Sequence, residues 1–329
     1  MTALFDRKPV GRDEGEVVAV SREGRPVRGF VLGDGPTRVS LIGGCHADEP
    51  VGPLMLRHLV AWLRASGSHG CRWWIVPHAN PDGEARNRAW YSDEDAAYDP
   101  VAYLRRRVRE LPGDDLEFGF PRGDDDEGAR PEARGIARWW RDAGGPFALH
   151  ASLHGMATAG GPWYLIDRAW IDRTADLRRA CANETARLGY RLHDVERNGE
   201  KGFTRIERGF HTRPDSRAMT AHFRALGDGQ TAALFRPSSM EYVRSLGGDT
   251  LTLVSEMPLF ITPGVGEHPG PPDPAAEEWK ARLGAWAMRE DLSRAEMEGA
   301  GLRPMPVRDQ MELQWAFLRG GLEAVGVRI

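Results

Sequence analysis

Short apolar runs and one-sided apolar stripes take turns along most of the chain. EVVAVS (16–21), VRGFVLG (27–33) and TRVSLIGG (37–44) are brief, rich in β-branched residues and cut by Gly and Asp, as strands joined by turns are. The period then changes. In PVGPLMLRHLVAWLRAS (50–66), Leu54, Leu59, Trp62 and Leu63 fall on one stripe, which predicts a helix. CRWWIVP (71–77) reads as a strand, and Pro131 to Arg141 as a helix. FALHASLHG (147–155) and LTLVSEMP (251–258) read as buried strands, with a helix over RTADLRRACANETARLG (173–189) between them. Strands alternating with helices over this length predict an α/β fold, a mixed β-sheet sandwiched by helices.

Two stretches interrupt the rhythm. Residues 112–131 (PGDDLEFGFPRGDDDEGARP) are acidic and rich in Gly and Pro, which predicts a surface loop. Residues 263–275 (PGVGEHPGPPDPA) read as a Pro/Gly linker. The helical patterns WKARLGAWAMREDL and DQMELQWAFLRGGLEAV follow, with Trp279, Trp286 and Trp315 to pack on the main body. The expected organisation is a catalytic domain over 1–264 and a helical C-terminal extension over 265–329.

Composition narrows the function classes. Against 48 acidic residues stand 44 basic ones, a net charge of −4, without the basic surface that general nucleic-acid binding needs. No apolar run approaches the ~18 residues that span a bilayer. The N-terminus lacks the basic-then-apolar order of a secretory signal. Three cysteines (Cys45, Cys71, Cys181) are too few and too scattered for a disulfide framework. The expectation is a cytoplasmic globular protein with no nucleic-acid or membrane partner.

The candidate chemistry begins at Gly43-Gly44-Cys45-His46-Ala47-Asp48-Glu49-Pro50, between a predicted strand end and a predicted helix start, where open α/β sheets build their sites. A His and a Glu three residues apart on one turn can face one point, and that donor pair suits Zn²⁺. Cys45 points away from His46 and reads as a small buried thiol. Downstream stand Asn80-Pro81-Asp82-Gly83, Arg86 and Arg88-Ala89-Trp90. His150 and His154 share one face of a predicted strand by its period of two. Glu256 sits in a strongly apolar strand, where an acid is costly to bury without a partner or a task.

Taken together and in this order, these segments resemble the carboxypeptidase A-like zinc metallocarboxypeptidases across residues 38 to 260. The resemblance implies that His46, Glu49 and His154 hold one zinc ion per chain, with His150 a strand neighbour and the weaker candidate ligand. Three protein ligands leave a fourth position open, as a catalytic zinc site requires. It implies Glu256 as general base and acid, and Arg88, preferred to Arg86 for its Arg-x-Trp setting, as the cation beside the developing oxyanion. The expected substrate is a peptide or an N-acyl amino acid.

One segment departs from the family pattern. Where the family carries Asp-Leu-Asn-Arg-Asn-Phe-Pro, whose Asn-Arg pair grips a substrate carboxylate, this chain reads Asp115-Leu116-Glu117-Phe118-Gly119-Phe120-Pro121. A carboxylate about 4 Å from Glu117 meets about 4 kcal/mol of repulsion at an effective dielectric near 20, about three orders of magnitude in affinity. Either Arg205, Arg208, Arg213 or Arg217 replaces the grip, or the substrate carries an amine or an amide there, or the loop aligns differently. Tyr242 is a further candidate for the substrate pocket. Two other readings stand beside the peptidase: a deacylase resembling aspartoacylase or succinylglutamate desuccinylase, and a zinc-bearing binding protein without catalysis.

Overall fold

The structure, a computed structural model, describes residues 3–270 and 273–329; Pro271 and Pro272, within the predicted linker, lie outside the described residues. Ten strands form one sheet: β1 (Glu16–Val20), β2 (Pro26–Leu32), β3 (Thr37–Gly43), β4 (Cys71–Val76), β5 (Leu149–Ala159), β6 (Trp163–Ile166), β7 (Arg205–Glu207), β8 (Phe210–Thr212), β9 (Leu251–Ile261) and β10 (Arg303–Pro304). Their order is β1-β2-β4-β3-β5-β9-β6-β8-β7, with β10 on the far end of β9. The centre, β4-β3-β5-β9, is parallel, while β2 and β6 flank it antiparallel. Parallel strands buried on both faces read as continuous apolar runs, which is why TRVSLIG and LTLVSEMP lack alternation.

The helices are α1 (Val51–Ser66), α2 (Pro81–Asn87), α3 (Pro100–Arg106), α4 (Pro131–Arg141), α5 (Ala175–Arg187), α6 (Ser216–Ala225), α7 (Gly229–Leu234), α8 (Ser239–Ser245), α9 (Pro274–Ala287), α10 (Arg294–Gly299) and α11 (Val307–Ala324). On one face of the sheet, α1 buries Leu56, Leu59 and Leu63 beside α5 and α11. On the other, Ile136 and Trp140 of α4 and Val243 of α8 close over Ile42 and Val76. The result is a mixed sheet between two helical layers.

Helix α11 packs against α1, α5 and β9. Its Leu313, Phe317, Leu318 and Leu322 are at most 1% exposed. At about 1.5–3 kcal/mol per fully buried side chain, these four contribute roughly 6–12 kcal/mol, an upper bound because the unfolded chain is partly collapsed. Its buried Gln314 donates to the His154 carbonyl and to Ser255 Oγ, each at 3.2 Å. The last helix therefore supports strands β5 and β9 from behind.

The predicted surface loop over 112–131 is at the surface over 112–114 and 122–128, but its stretch 115–121 is buried. Leu116, Glu117, Phe118 and Phe120 are buried, and Phe120 stacks on Trp140 at 5.5 Å. Acidic composition predicted exposure, but the apolar residues interleaved in it turn inward and bring Glu117 with them.

Candidate metal centre

Topology places the site. From β3 the chain passes through α1 to β4 on one side, and the next central strand, β5, lies on the other side of β3. The crevice at the carboxyl ends of β3 and β5 is thus a switch point of the sheet, where α/β folds bind ligands. After β3 the backbone turns through Gly44, at φ +66°, where a Cβ would come within 2.6 Å of the His78 ring. Only glycine meets both conditions. The turn presents His46, and Glu49 follows just before α1.

Three donors converge there. His46 Nδ1 lies 2.7 Å from Glu49 Oε1, His154 Nδ1 lies 2.9 Å from Glu49 Oε2, and the two Nδ1 atoms are 3.2 Å apart. Donors each about 2.0–2.1 Å from one zinc at a tetrahedral angle stand about 3.3 Å apart, so the spacing fits a shared ion. Electrostatics agree with the geometry. Burial opposes charging, yet Glu117 and Glu49 hold His154 well above the ordinary imidazole range. Burial likewise opposes ionisation of Glu49, and the two imidazoles hold it well below the carboxylate range. The same field that draws protons to this cluster draws a divalent cation.

Neighbouring groups orient the ligands. The far nitrogen of His154, Nε2, meets Ser152 Oγ at 2.7 Å and Glu117 Oε2 at 3.0 Å. A proton donated there to Glu117 leaves Nδ1 free for metal, as a carboxylate behind a ligand histidine does. Gly155 N donates to Glu49 Oε2 at 3.2 Å. Cys45 belongs to this far side, with Sγ 3.9 Å from Ser152 Oγ and its thiol pushed up to about 12 by burial. Among the described residues, Cys45, Glu117 and His154 form a second grouping of possible ligands, which shares His154 with the first.

Glu256 stands on β9 directly across from His154 in the strand register. Burial raises its pKa to about 7, against the pull of the His154 charge. It lines a cavity of about 380 Å³ together with His46, His154, Arg109, Glu117 and Phe118.

His150 is a core histidine. Its two nitrogens meet Ser40 Oγ at 2.7 Å and Ser239 Oγ at 3.1 Å, and Trp140 lies edge-on at 5.1 Å. Burial takes its pKa down to about 3.

Three expected residues are not at the site. Arg88 lies 3.5 Å from Asp93 and over the Tyr91 ring. Arg86 pairs with Glu23 at the surface. Tyr242 is buried under α4, its hydroxyl donating to the Ala137 carbonyl at 3.1 Å. The cation beside the cluster is Arg109, whose Nη1 donates to Asp48 Oδ1 at 2.9 Å and Glu49 Oε1 at 3.1 Å. Asn87, between the two displaced arginines, fixes it. Fully buried, Asn87 accepts from Val108 N at 2.9 Å and donates to Val108 O at 2.8 Å, clamping the residue before Arg109.

The other arginines proposed for substrate are committed elsewhere or exposed. Arg205 pairs with Asp194 at 2.8 and 3.0 Å, Arg208 donates to the Glu267 carbonyl, Arg213 donates to Thr252, and Arg217 is exposed on α6. Lys201 and Phe203 also line the cavity. No helix among the described residues is long and apolar enough to cross a membrane.

Comparison with known proteins bears on the fold and the family. The family model described as zinc carboxypeptidase matches residues 14–165. Carboxypeptidase A of Helicoverpa armigera shares the fold at 13% identity and a TM-score of 0.50, over 94% of this chain and 68% of that one. Bovine thrombin-activatable fibrinolysis inhibitor does so at 13% identity and a TM-score of 0.50, over 95% and 90%. No curated protein sequence matches the chain. Residues 14–165 are similar to the zinc carboxypeptidase family, the fold is shared with solved carboxypeptidases, and together these findings support a zinc metallopeptidase.

Proposed function

We propose that His46, Glu49 and His154 hold one zinc ion and that the chain hydrolyses a peptide or amide bond beside it. The observation that carries this reading is the convergence of two imidazole nitrogens and a carboxylate within 3.2 Å of one another, with Glu256 on the adjacent strand. Zinc supplies Lewis acidity that makes a hydroxide nucleophile available near neutral pH. Glu256, with a pKa near 7, takes a proton from the attacking water and returns it to the leaving amine; a base is most useful with a pKa close to the working pH. Arg109 meets the negative charge that develops on the carbonyl oxygen.

Specificity departs from simple C-terminal trimming. Glu117 Oε2 meets His154 Nε2 at 3.0 Å, and its Oε1 is buried without a hydrogen-bond partner. Phe118 packs edge-on to Phe235 at 5.5 Å and adds an apolar wall where the family has a guanidinium. The favoured substrate has a blocked or amidated end, or an amine, near Glu117 and not a free carboxylate. The test is a screen of the zinc-loaded protein on peptides with free and blocked C-termini and on N-acyl amino acids. Glu256→Gln should retain zinc and lose hydrolysis, whereas undiminished turnover would remove Glu256 from the mechanism. A preference for N-acyl amino acids would move the chain to the deacylases.

A further inference from the structure

A second cavity, of about 370 Å³, lies between α3, α9 and the ends of β5 and β9, apart from the metal centre. Its interior is apolar, formed by Phe260, Trp279, Leu283, Met297 and Leu302. The aromatic walls have their polar atoms tied elsewhere: Trp279 Nε1 donates to the Pro263 carbonyl at 3.0 Å, and the Tyr103 hydroxyl donates to Asp48 at 3.1 Å. An occupant of the interior therefore finds apolar surface and no unpaired hydrogen-bonding group in these rings. The two charged residues of the lining are both cations, Arg107 and Lys280, and both are exposed. Arg107 rests over the Tyr103 ring and donates to its hydroxyl at 3.1 Å, with no carboxylate partner among the described residues. Lys280 has only the distant, exposed Glu277 at 3.9 Å. An apolar chamber with a cationic mouth matches an amphiphile that is apolar along its length and anionic at one end.

We propose that this cavity binds a medium-chain fatty carboxylate, its tail among Phe260, Trp279 and Leu283 and its head on Arg107. The head then lies at one end of a hydrogen-bonded chain, Arg107 to Tyr103 to Asp48, and Asp48 accepts from the same Arg109 that contacts Glu49. The proposal is independent of the metal chemistry.

The test is calorimetric titration of the full chain with hexanoate, octanoate and decanoate. Each buried methylene adds about fourfold in affinity, so two should tighten Kd by about fifteenfold. Decylamine should bind at least about tenfold more weakly than decanoate, and Arg107→Gln should weaken decanoate by about tenfold. Gly284 of α9 lines the cavity, and a Cβ there meets nothing within 4 Å. Gly284→Leu should therefore narrow the chamber and weaken decanoate binding by about tenfold or more without lowering the melting temperature. Absence of saturable binding, a Kd indifferent to chain length or head-group charge, or a Gly284→Leu variant that binds as wild type would each overturn the proposal. So would a wild-type dimer that binds no decanoate and that Gly284→Leu dissociates.

Discussion

Replacing Asn87 with leucine removes a clamp without adding charge or much volume. Its side chain makes four hydrogen bonds: to Gly83 O at 2.9 Å, to Val108 O at 2.8 Å, from Val108 N at 2.9 Å and from Trp90 Nε1 at 2.7 Å. At a net worth of about 1 kcal/mol each the loss is about 4 kcal/mol. Val108 is 39% exposed and its backbone can rehydrate, which brings the expected cost to about 3 kcal/mol. With an unfolding entropy near 2.1 cal/mol/K per residue, 329 residues give about 0.7 kcal/mol/K, so calorimetry should show the melting temperature about 4 °C lower. Zinc content should not change, because no ligand touches Asn87. Hydrolysis should fall by about tenfold or more, because Arg109 loses its fixed backbone. A double-mutant cycle decides whether Asn87 acts through Arg109: in an Arg109→Ala background, Asn87→Leu should add little to the loss of kcat. Fully additive losses would refute the positioning argument, as would a variant with wild-type kcat.

The two candidate arginines separate cleanly. Arg109→Ala should lower kcat by about a hundredfold, the scale of losing one oxyanion donor, whereas Arg88→Ala at the surface should change stability by no more than about 0.5 kcal/mol and leave turnover alone; the reverse ranking in a steady-state assay would restore Arg88. His150 makes stability depend on acid. Its folded pKa of about 3 lies below an unfolded value of about 6.5, so the unfolded state binds the extra proton between those limits. Stability should therefore decline as pH falls below about 6.5, by up to about 1.4 kcal/mol per pH unit from this residue. Urea titrations across that range should show a shallower decline for His150→Gln, and identical slopes would mean that His150 is not held neutral.

Much of the frame is legible in the sequence because strand, turn and helix signals coincide where the site begins. The run TRVSLIG ends in Gly43-Gly44, and His46 and Glu49 follow before a clear helical stripe. The period of two along FALHASLHG puts His150 and His154 on one face, and the serines on β3 and α8 that occupy His150 come from distant parts of the chain, which no local pattern reveals. Arg109 is hidden for the same reason. The Arg-x-Trp arrangement favours Arg88 over Arg86, yet the helical turn directs Asn87 inward and leaves both arginines at the surface. An uncharged asparagine among arginines carries little sequence signal, and only its bonds to Val108 give it meaning. In the acidic loop, Leu116, Phe118 and Phe120 are the apolar residues whose burial carries the segment, and Glu117 with it, into the core. Gln314 offers none, because its partners on β5 and β9 lie 160 and 59 residues away.

The central claim is that His46, Glu49 and His154 form one metal site, and the metal content of the purified protein tests it most directly. Mass spectrometric elemental analysis of wild type after dialysis should find about one zinc per chain, and His46→Ala and His154→Ala that remain folded by circular dichroism should each hold almost none. Wild-type protein that takes up no zinc at micromolar concentrations, or folded variants that keep a full equivalent, would contradict the account.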